Sequence, residues 1–289
     1  MLERSKSAVG VVLAGLLPVF LGGPVLAVAM ALFCTIGFLE YRRLAGGIGA
    51  TPPRTSILGP ALAALAALLG YGAWAVVAVV GGLTALGIVE LMRRPNLDGT
   101  IVDWAFGVTG VVYLAIPTYA AVMLRQIDGE HGNGWLHRFS EWMPMPWDGD
   151  SRGLAWLLVV LLTTWLCDTG QYLTGRTWGK TPLSPRISPK KTREGFAGGL
   201  VFAAVTSALG FWLFDLGVNL LIGALFGVAI AVLAIFGDLT ESLLKRQAGV
   251  KDSGDFIPGH GGMLDRIDSL LFAFTGGWLL ALLIDHYML

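Results

Sequence analysis

The chain has 289 residues, of which 55% are hydrophobic and only 14% are charged, and its mean hydropathy is +0.69. Soluble domains carry about a quarter charged residues, so this composition excludes an ordinary water-soluble domain and predicts extensive contact with lipid. The formal net charge is zero and only two cysteines are present, which argues against a nucleic-acid partner, a disulfide framework and a cysteine-based zinc site.

Apolar segments that could cross a bilayer recur along the chain. A spanning helix needs about 20 apolar residues, and the sequence predicts nine such segments, at residues 7–21, 23–40, 57–72, 74–92, 104–124, 154–174, 196–214, 217–237 and 269–288. The expected fold class is therefore all-α, a polytopic membrane protein with about nine transmembrane helices. Residues 1–150 would hold five of the spans and an extracytoplasmic loop, and residues 151–289 the other four spans and two polar cytoplasmic loops, within one integral membrane unit.

The N-terminus begins with Arg4 and Lys6 before an apolar stretch, which is also typical of a signal peptide. However, Pro18 and Gly22-Gly23-Pro24 interrupt the apolar run, which then continues to Phe38. A helical hairpin explains this interruption better than a cleaved leader does.

The Lys and Arg residues are distributed unevenly between the predicted loops. If the N-terminus is cytoplasmic, 17 of the 20 fall on the cytoplasmic side and only Arg125, Arg138 and Arg152 lie outside. This asymmetry follows the positive-inside rule, and it supports nine spans with a cytoplasmic N-terminus and an outside C-terminus. The outside loop, residues 125–153, contains three tryptophans and is expected to lie at the membrane interface as a cap.

Polar chemistry is concentrated in two predicted cytoplasmic segments, residues 175–195 and 238–268, and at the helix ends beside them. Asp168 lies inside a predicted span, where an ionisable residue costs about 2.5–3.5 kcal/mol, so it is either a metal-site or phosphate-site residue or an acid that only fixes helix packing. Lys190 and Lys191 stand among hydroxyls and glycines, a combination that suits polyphosphate binding. The alternative for these lysines is contact with anionic lipid headgroups.

The last two spans add a second group of acids. If the eighth span continues as a helix, Asp238, Glu241, Ser242 and Lys245 lie on one face, which is either part of a site or a solvated stripe. Asp265 and Asp268 lie three residues apart on the first turn of the last span, so both carboxylates project from one side. Paired carboxylates close to cations suit Mg²⁺ that bridges a triphosphate.

The stretch from Ser242 to Asp268 resembles the signature of the phosphatidate cytidylyltransferase (CDP-diacylglycerol synthase) family. That signature combines Ser-x-hydrophobic-Lys-Arg with a Lys-Asp pair, a His-Gly-Gly loop and Asp-Arg-hydrophobic-Asp, and all of these positions are matched here. Asp168–Gly195 and Glu40–Leu44 are similar to two further segments of the family, so the resemblance extends over nearly the whole chain. Gln171 departs from it, because a small residue is expected before Tyr172.

The resemblance implies transfer of a cytidylyl group from CTP to phosphatidic acid, which forms CDP-diacylglycerol and pyrophosphate in phospholipid biosynthesis. It also implies a Mg²⁺-dependent enzyme with K⁺ as a second ion, a homodimer in contact with membrane lipids, and an active site on the cytoplasmic side; no nucleic acid is expected. The metal-site carboxylates carried over are Asp238, Asp265 and Asp268, with Asp168 as a further candidate. The catalytic residues carried over are Asp238, Asp265, Asp268, Lys245 and Arg266. The substrate-binding residues carried over are Lys190, Lys191, Arg246 and Lys251, with Ser242, His260, Gly261 and Gly262 shaping the loop.

Three other functions are compatible with parts of the pattern. A CTP-dependent polyprenol kinase or a CDP-archaeol synthase would use similar chemistry, but the intact signature favours the cytidylyltransferase. An ion-coupled transporter would also contain intramembrane acids. It is disfavoured because the acids here gather near one end of the spans, beside basic loops.

Overall fold

A computed structural model of the protein describes residues 15–128, 136, 151–256 and 261–288. The helices are, in chain order, α1 (Gly23–Gly47), α2 (Gly59–Leu68), α3 (Trp74–Met92), α4 (Thr100–Arg125), α5 (Ser151–Trp178), α6 (Arg193–Leu213), α7 (Leu220–Gln247) and α8 (Leu264–Met288). Two short strands, β1 (Pro182–Ser184) and β2 (Ser188–Thr192), lie between α5 and α6. A 3-10 turn, Arg54–Leu58, precedes α2, and residues 15–21 are also helical.

Seven helices of the described ranges, α1 and α3 to α8, are long and apolar enough to cross a membrane. This confirms the predicted all-α polytopic architecture, in which a spanning helix satisfies its own backbone hydrogen bonds. The predicted span at residues 57–72 forms a 3-10 turn followed by the ten-residue α2, which is shorter than a bilayer crossing usually requires. Residues 7–14 of the predicted span at 7–21 lie outside the described residues, so the count of nine is approximate.

Several helices, α5 and α7 among them, extend further into polar sequence than hydropathy predicts. α5 continues to Trp178 and α7 to Gln247, whereas their apolar runs were expected to end at residues 174 and 237. Polar turns beyond the hydrocarbon layer keep their backbone hydrogen bonds, so a helix need not end where its apolar run ends. The extension of α7 therefore carries Asp238, Ser242 and Lys245 on continuous helix, as predicted.

The polar segment after α5 contains a short antiparallel hairpin that the all-α expectation lacks. β1 pairs with β2, with Ser184 opposite Ser188. Lys190 and Lys191 both lie on β2. Because the strand is paired, the backbone of these two lysines has a defined position directly before α6.

By their contacts the residues form two compact units. Unit one contains Met1–Met123 and Leu244–Ile267, and unit two contains Leu124–Leu243 and Asp268–Leu289. The grouping of the spans into residues 1–150 and 151–289 stays a prediction.

In unit one, aromatic side chains pack α1 against α4. The Tyr41 hydroxyl donates to the Phe106 carbonyl at 2.9 Å, and the Tyr41 ring centroid lies 5.9 Å from that of Phe38. Gly110 permits this approach, because a Cβ at that position would lie 2.6 Å from the Tyr41 ring. The packing fixes the segment of α1 that carries Glu40.

In unit two, close contact between α5 and α6 determines where the polar residues of both helices lie. Trp156, Phe211 and Phe226 form an aromatic cluster with centroid separations of 5.3, 5.6 and 5.5 Å. Toward the polar end, a Cβ on Gly195 would lie only 2.9 Å from the Gln171 carbonyl oxygen. Glycine therefore allows the first turn of α6 to lie directly against α5.

Candidate active site

A cavity of about 450 Å³ lies in unit two among α5, β2, α6 and α7. It is lined by Asp168, Gln171, Tyr172, Gly175, Arg176, Ser188, Lys190, Lys191, Thr192, Gly195, Phe196 and Asp238. Three cationic side chains and two carboxylates thus surround one space, which has one net positive charge when all five are ionised. The volume is in the range of small-molecule sites, about 300–1,000 Å³, and the excess of cations favours a phosphorylated ligand.

Asp168 and Asp238 supply the carboxylates of the cavity. Asp238 Oδ2 forms an ion pair with Lys191 Nζ, and Asp238 Oδ1 accepts a hydrogen bond from Ser242 Oγ at 3.2 Å. Asp168 interacts electrostatically with both Asp238 and Lys191. The Lys191 ammonium therefore interacts with both carboxylates. Its side chain is 21% exposed, and that of Asp238 is 26% exposed. An anion or cation that enters the cavity would compete with this ion pair.

The last turn of α5 supplies another cation at the cavity. Arg176 Nη1 donates to the Tyr172 hydroxyl at 2.9 Å, and the Arg176 guanidinium carbon lies 6.0 Å from the Tyr172 ring centroid. Both side chains are exposed. A guanidinium has five N–H donors, so one bond to tyrosine leaves enough of them to bind a phosphate in a bidentate manner.

Hydrogen bonds at the start of α6 fix the hairpin beside the cavity. Thr192 is the N-cap residue, and its Oγ1 accepts a hydrogen bond from Gly195 N at 3.1 Å. The Glu194 carboxylate accepts hydrogen bonds from the backbone N–H groups of Lys180 and Thr181, both at 3.1 Å. The chain entering β1 and the chain leaving β2 are therefore both joined to the first turn of α6.

A second group of predicted site residues lies in unit one. Lys245 Nζ donates to Asp265 Oδ1 at 2.6 Å, and these side chains are 12% and 10% exposed. Asp265 Oδ2 accepts hydrogen bonds from Ser253 N at 2.9 Å and from Gly262 N at 2.8 Å, and the Ser253 hydroxyl oxygen lies 2.9 Å from it. Gly261 has a φ of +84°, a left-handed conformation that favours glycine. Asp265 therefore binds Ser253 and Gly262, two residues of the connection between α7 and α8.

The sequence analysis does not identify two residues, Arg176 at the cavity of unit two and, in unit one, Glu40. Its side chain is buried on α1, and its carboxylate accepts hydrogen bonds from Met263 N at 3.0 Å and Leu264 N at 2.7 Å. Ser253 Oγ donates to it at 3.0 Å. The similarity of Glu40–Leu44 to a segment of the family assigns no role to Glu40. An acid within an apolar helix is the signal that could have identified it.

Four other predicted site residues have defined positions. Arg246 Nη1 donates to the Val250 carbonyl at 3.2 Å, at the C-terminal end of α7. Lys251 and Arg266 are exposed. Asp268 is half-buried in unit two, where its carbonyl oxygen closely contacts Gly237. One more predicted site residue, His260, lies outside the described residues.

The metal prediction depends on oxygen ligands. The part of the chain that the structure describes contains no group of three or more His, Cys, Asp or Glu side chains arranged to hold an ion. Asp168 and Asp238 nevertheless offer carboxylate oxygens, the ligand type that Mg²⁺ prefers, in a cavity with space for phosphate oxygens and water. The pair fits Mg²⁺ in its chemistry if a substrate supplies further ligands. The assignment of Asp265 and Asp268 to the same ion stays a prediction.

The fold and the cavity together define a class: a polytopic membrane protein whose polar site, suited to a phosphorylated ligand, lies among bilayer-length helices. The chain belongs to the cytidylyltransferase family, since the sequence profile of that family matches residues 2–284.

Individual relatives agree with this assignment over different lengths of chain. A phosphatidate cytidylyltransferase from Synechocystis sp. is 37% identical over 278 residues, which cover 93% of this chain and 92% of that protein. One from Mycobacterium bovis is 32% identical over 225 residues, covering 76% of this chain and 65% of the relative. One from Haemophilus influenzae is 46% identical over 129 residues, covering 42% of this chain and 44% of the relative. The family predicted from residues 242–268 is thereby confirmed, and with it the class of enzyme.

Proposed function

We propose that this protein transfers the cytidylyl group of CTP to phosphatidic acid and so forms CDP-diacylglycerol and pyrophosphate. The observation that carries the proposal is the cavity of unit two, which combines three cations with two carboxylates. It occurs in a chain that is 37% identical to a phosphatidate cytidylyltransferase over 93% of its length. Two polyanionic substrates need such an excess of fixed cations, and a lipid substrate needs a site within the membrane region.

The reaction requires no nucleophile from the protein. A phosphate oxygen of phosphatidic acid attacks the α-phosphorus of CTP, the bond to the oxygen that bridges the α- and β-phosphorus breaks, and pyrophosphate leaves. Both substrates are negatively charged, so repulsion between them is the main obstacle. Lys190, Lys191 and Arg176 would reduce that repulsion and stabilise the charge that develops on the leaving pyrophosphate.

The acids of the cavity would organise these cations. Asp238 orients Lys191, and Ser242 in turn orients Asp238. An ammonium has three N–H donors, so Lys191 can bind a phosphate oxygen while it keeps a bond to its acid. Mg²⁺ held by Asp168 and Asp238 would supply Lewis-acid charge at the phosphate oxygens. K⁺ as a second ion is part of the same proposal.

The proposal places the site at the cytoplasmic face of a bacterial inner membrane, with the N-terminus in the cytoplasm. The predicted inner position of 17 of the 20 Lys and Arg supports this orientation, and the relatives come from bacteria. Water-soluble CTP would arrive from the cytoplasm, while the lipid phosphate stays at the interface. The family resemblance supports a homodimer.

Detergent-purified protein incubated with Mg²⁺, CTP and phosphatidic acid tests the proposal. We expect pyrophosphate and CDP-diacylglycerol to form in equal amounts. Omission of phosphatidic acid controls for simple hydrolysis of CTP. Release of CDP in place of pyrophosphate would contradict the proposal and would indicate a CTP-dependent lipid kinase.

A further inference from the structure

The geometry points to Glu40 as a positioning residue that holds the segment carrying Asp265 in its active arrangement. This inference rests on the proposed function, since Asp265 has a role in catalysis only if the protein is the proposed enzyme. Glu40 is 4% exposed on α1, and its hydrogen-bond partners lie 213 to 224 positions later in the chain. A carboxylate buried so fully must be compensated by donors, and the donors it uses show which segment it holds.

Both carboxylate oxygens of Glu40 accept hydrogen bonds from the segment between α7 and α8. Oε1 accepts from Met263 N at 3.0 Å, and Oε2 accepts from Leu264 N at 2.7 Å and from Ser253 Oγ at 3.0 Å. Because α8 begins at Leu264, these two N–H groups have no acceptor inside the helix. Glu40 supplies the acceptor, and its charge also interacts favourably with the N-terminus of α8.

Ser253 connects Glu40 to Asp265. Its hydroxyl oxygen lies 3.0 Å from Glu40 Oε2 and 2.9 Å from Asp265 Oδ2. The backbone N–H of Ser253 and that of Gly262 donate to the same Asp265 oxygen, and Lys245 donates to the other. A displacement of the Glu40 carboxylate would therefore shift Asp265 in two ways, through the Ser253 hydroxyl and through the first turn of α8.

Two glycines shape the space around the Glu40 carboxylate. A Cβ on Gly254 would lie 2.5 Å from Glu40 Oε1, and a Cβ on Gly262 would lie 2.5 Å from Glu40 Oε2. A side chain at either position would force the carboxylate to move. This close fit indicates that the packing of the segment depends on the position of the Glu40 carboxylate as well as on its charge.

Glu40→Gln tests the inference with little change of shape. An amide has one acceptor oxygen, so in either orientation its NH₂ group faces a backbone N–H, that of Met263 or that of Leu264. A buried donor that loses its acceptor is costly enough to lower kcat by about tenfold to a hundredfold, if the transition state needs Asp265 in place. The KM for CTP should change by less than about threefold, because Glu40 contacts no reacting group.

Glu90→Gln is the matched control. Glu90 also lies in unit one, and its carboxylate accepts hydrogen bonds from Arg54 N, Thr55 N and Thr55 Oγ1 at 2.8, 3.0 and 3.0 Å. It therefore has the same chemistry as Glu40 but holds a different segment. Both variants should lower the melting temperature, whereas only Glu40→Gln should lower kcat.

Hydrogen exchange of residues 253–265, followed by mass spectrometry in detergent, gives a measurement that does not depend on catalysis. Glu40→Gln should accelerate exchange of the Met263 and Leu264 N–H groups by about tenfold or more, and Glu90→Gln should not. Ser253→Ala removes only a hydroxyl, so this variant tests the inference if Glu40→Gln does not fold. It should lower kcat in the same direction, and its effect should not add to that of Glu40→Gln.

Three results would overturn the inference. The first is a kcat for Glu40→Gln within about twofold of the wild-type value or equal to that of Glu90→Gln. The second is unchanged exchange of residues 253–265, and the third is an unchanged kcat for Ser253→Ala. If the wild-type protein releases no pyrophosphate at all, the proposed function fails instead, and the exchange measurement still decides whether Glu40 holds the segment.

Discussion

Lys191→Met removes the ammonium that serves both acids of the cavity while it keeps a long side chain. The Lys191 and Asp238 side chains are 21% and 26% exposed. Their ion pair therefore lies between surface pairs, which contribute about 0–1 kcal/mol, and buried pairs, whose disruption costs about 3–5 kcal/mol. We expect the substitution to lower the free energy of unfolding by about 1–3 kcal/mol, because Asp238 loses its cation and remains beside Asp168.

The substitution should also slow catalysis in the molecules that remain folded. A charge-assisted hydrogen bond contributes about 1.5–3 kcal/mol, so losing one to a phosphate should lower kcat/KM by about 10- to 150-fold. The assay is pyrophosphate release as a function of CTP concentration at a fixed mole fraction of phosphatidic acid. Lys191→Arg keeps the charge and should retain more activity than Lys191→Met does.

Arg152→Met is the control for loss of an ion pair as such. Arg152 pairs with Asp285 in unit two, where the two side chains are 12% and 34% exposed. It lies 16 residues before Asp168 on α5, or about 24 Å along the helix axis. Thermal unfolding should show both variants destabilised, with kcat/KM of Arg152→Met within about twofold of wild type. The assignment of Lys191 to the site is refuted if both variants lose activity equally, or if Lys191→Met stays within about threefold of wild type.

Two further predictions concern Asp265 and Gly195. Asp265→Asn should lower CDP-diacylglycerol formation from radiolabelled CTP by more than about 100-fold, because an amide nitrogen cannot accept the hydrogen bonds that reach Asp265. Wild-type turnover by the folded variant would remove Asp265 from the site. Gly195→Ala should lower the free energy of unfolding by about 1–3 kcal/mol, since the new methyl group would lie 2.9 Å from the Gln171 carbonyl oxygen. Gly82→Ala, where a Cβ meets nothing within 4 Å, is its control, and equal melting temperatures for the two variants would contradict the packing argument.

The class of fold could be predicted because lipid restricts which structures can cross it. A segment in the hydrocarbon layer must be apolar and must satisfy its own backbone, so hydropathy identifies helices such as α4 and α6 directly. Helix ends were less predictable, since a polar turn outside the hydrocarbon layer resembles a loop in composition. α7, for example, extends ten residues beyond its predicted end at residue 237. The same limit explains why the β1–β2 hairpin was not expected.

Several residues of the site could also be predicted, whereas the contacts between their side chains could not. Ionisable residues in or beside apolar spans are rare, so Asp168, Lys190, Lys191 and Asp238 were all identified, and the cavity of unit two contains all four. The contact between Glu40 and Ser253 could not be predicted, because the two residues lie 213 positions apart and no local pattern links them.

Local sequence was therefore sufficient to establish that helices cross a bilayer and that charge gathers near their ends, because both are properties of short segments. Helix packing decided which charges meet, as when Lys191 reaches Asp238 across 47 positions. Within lipid, helices do not associate because of a difference in hydrophobicity. Close packing, which small residues such as Gly195 permit, and the fit of side chains determine which helices become neighbours. Those interactions form only once the helices have packed, and for that reason the pairs of charges became known only with the folded structure.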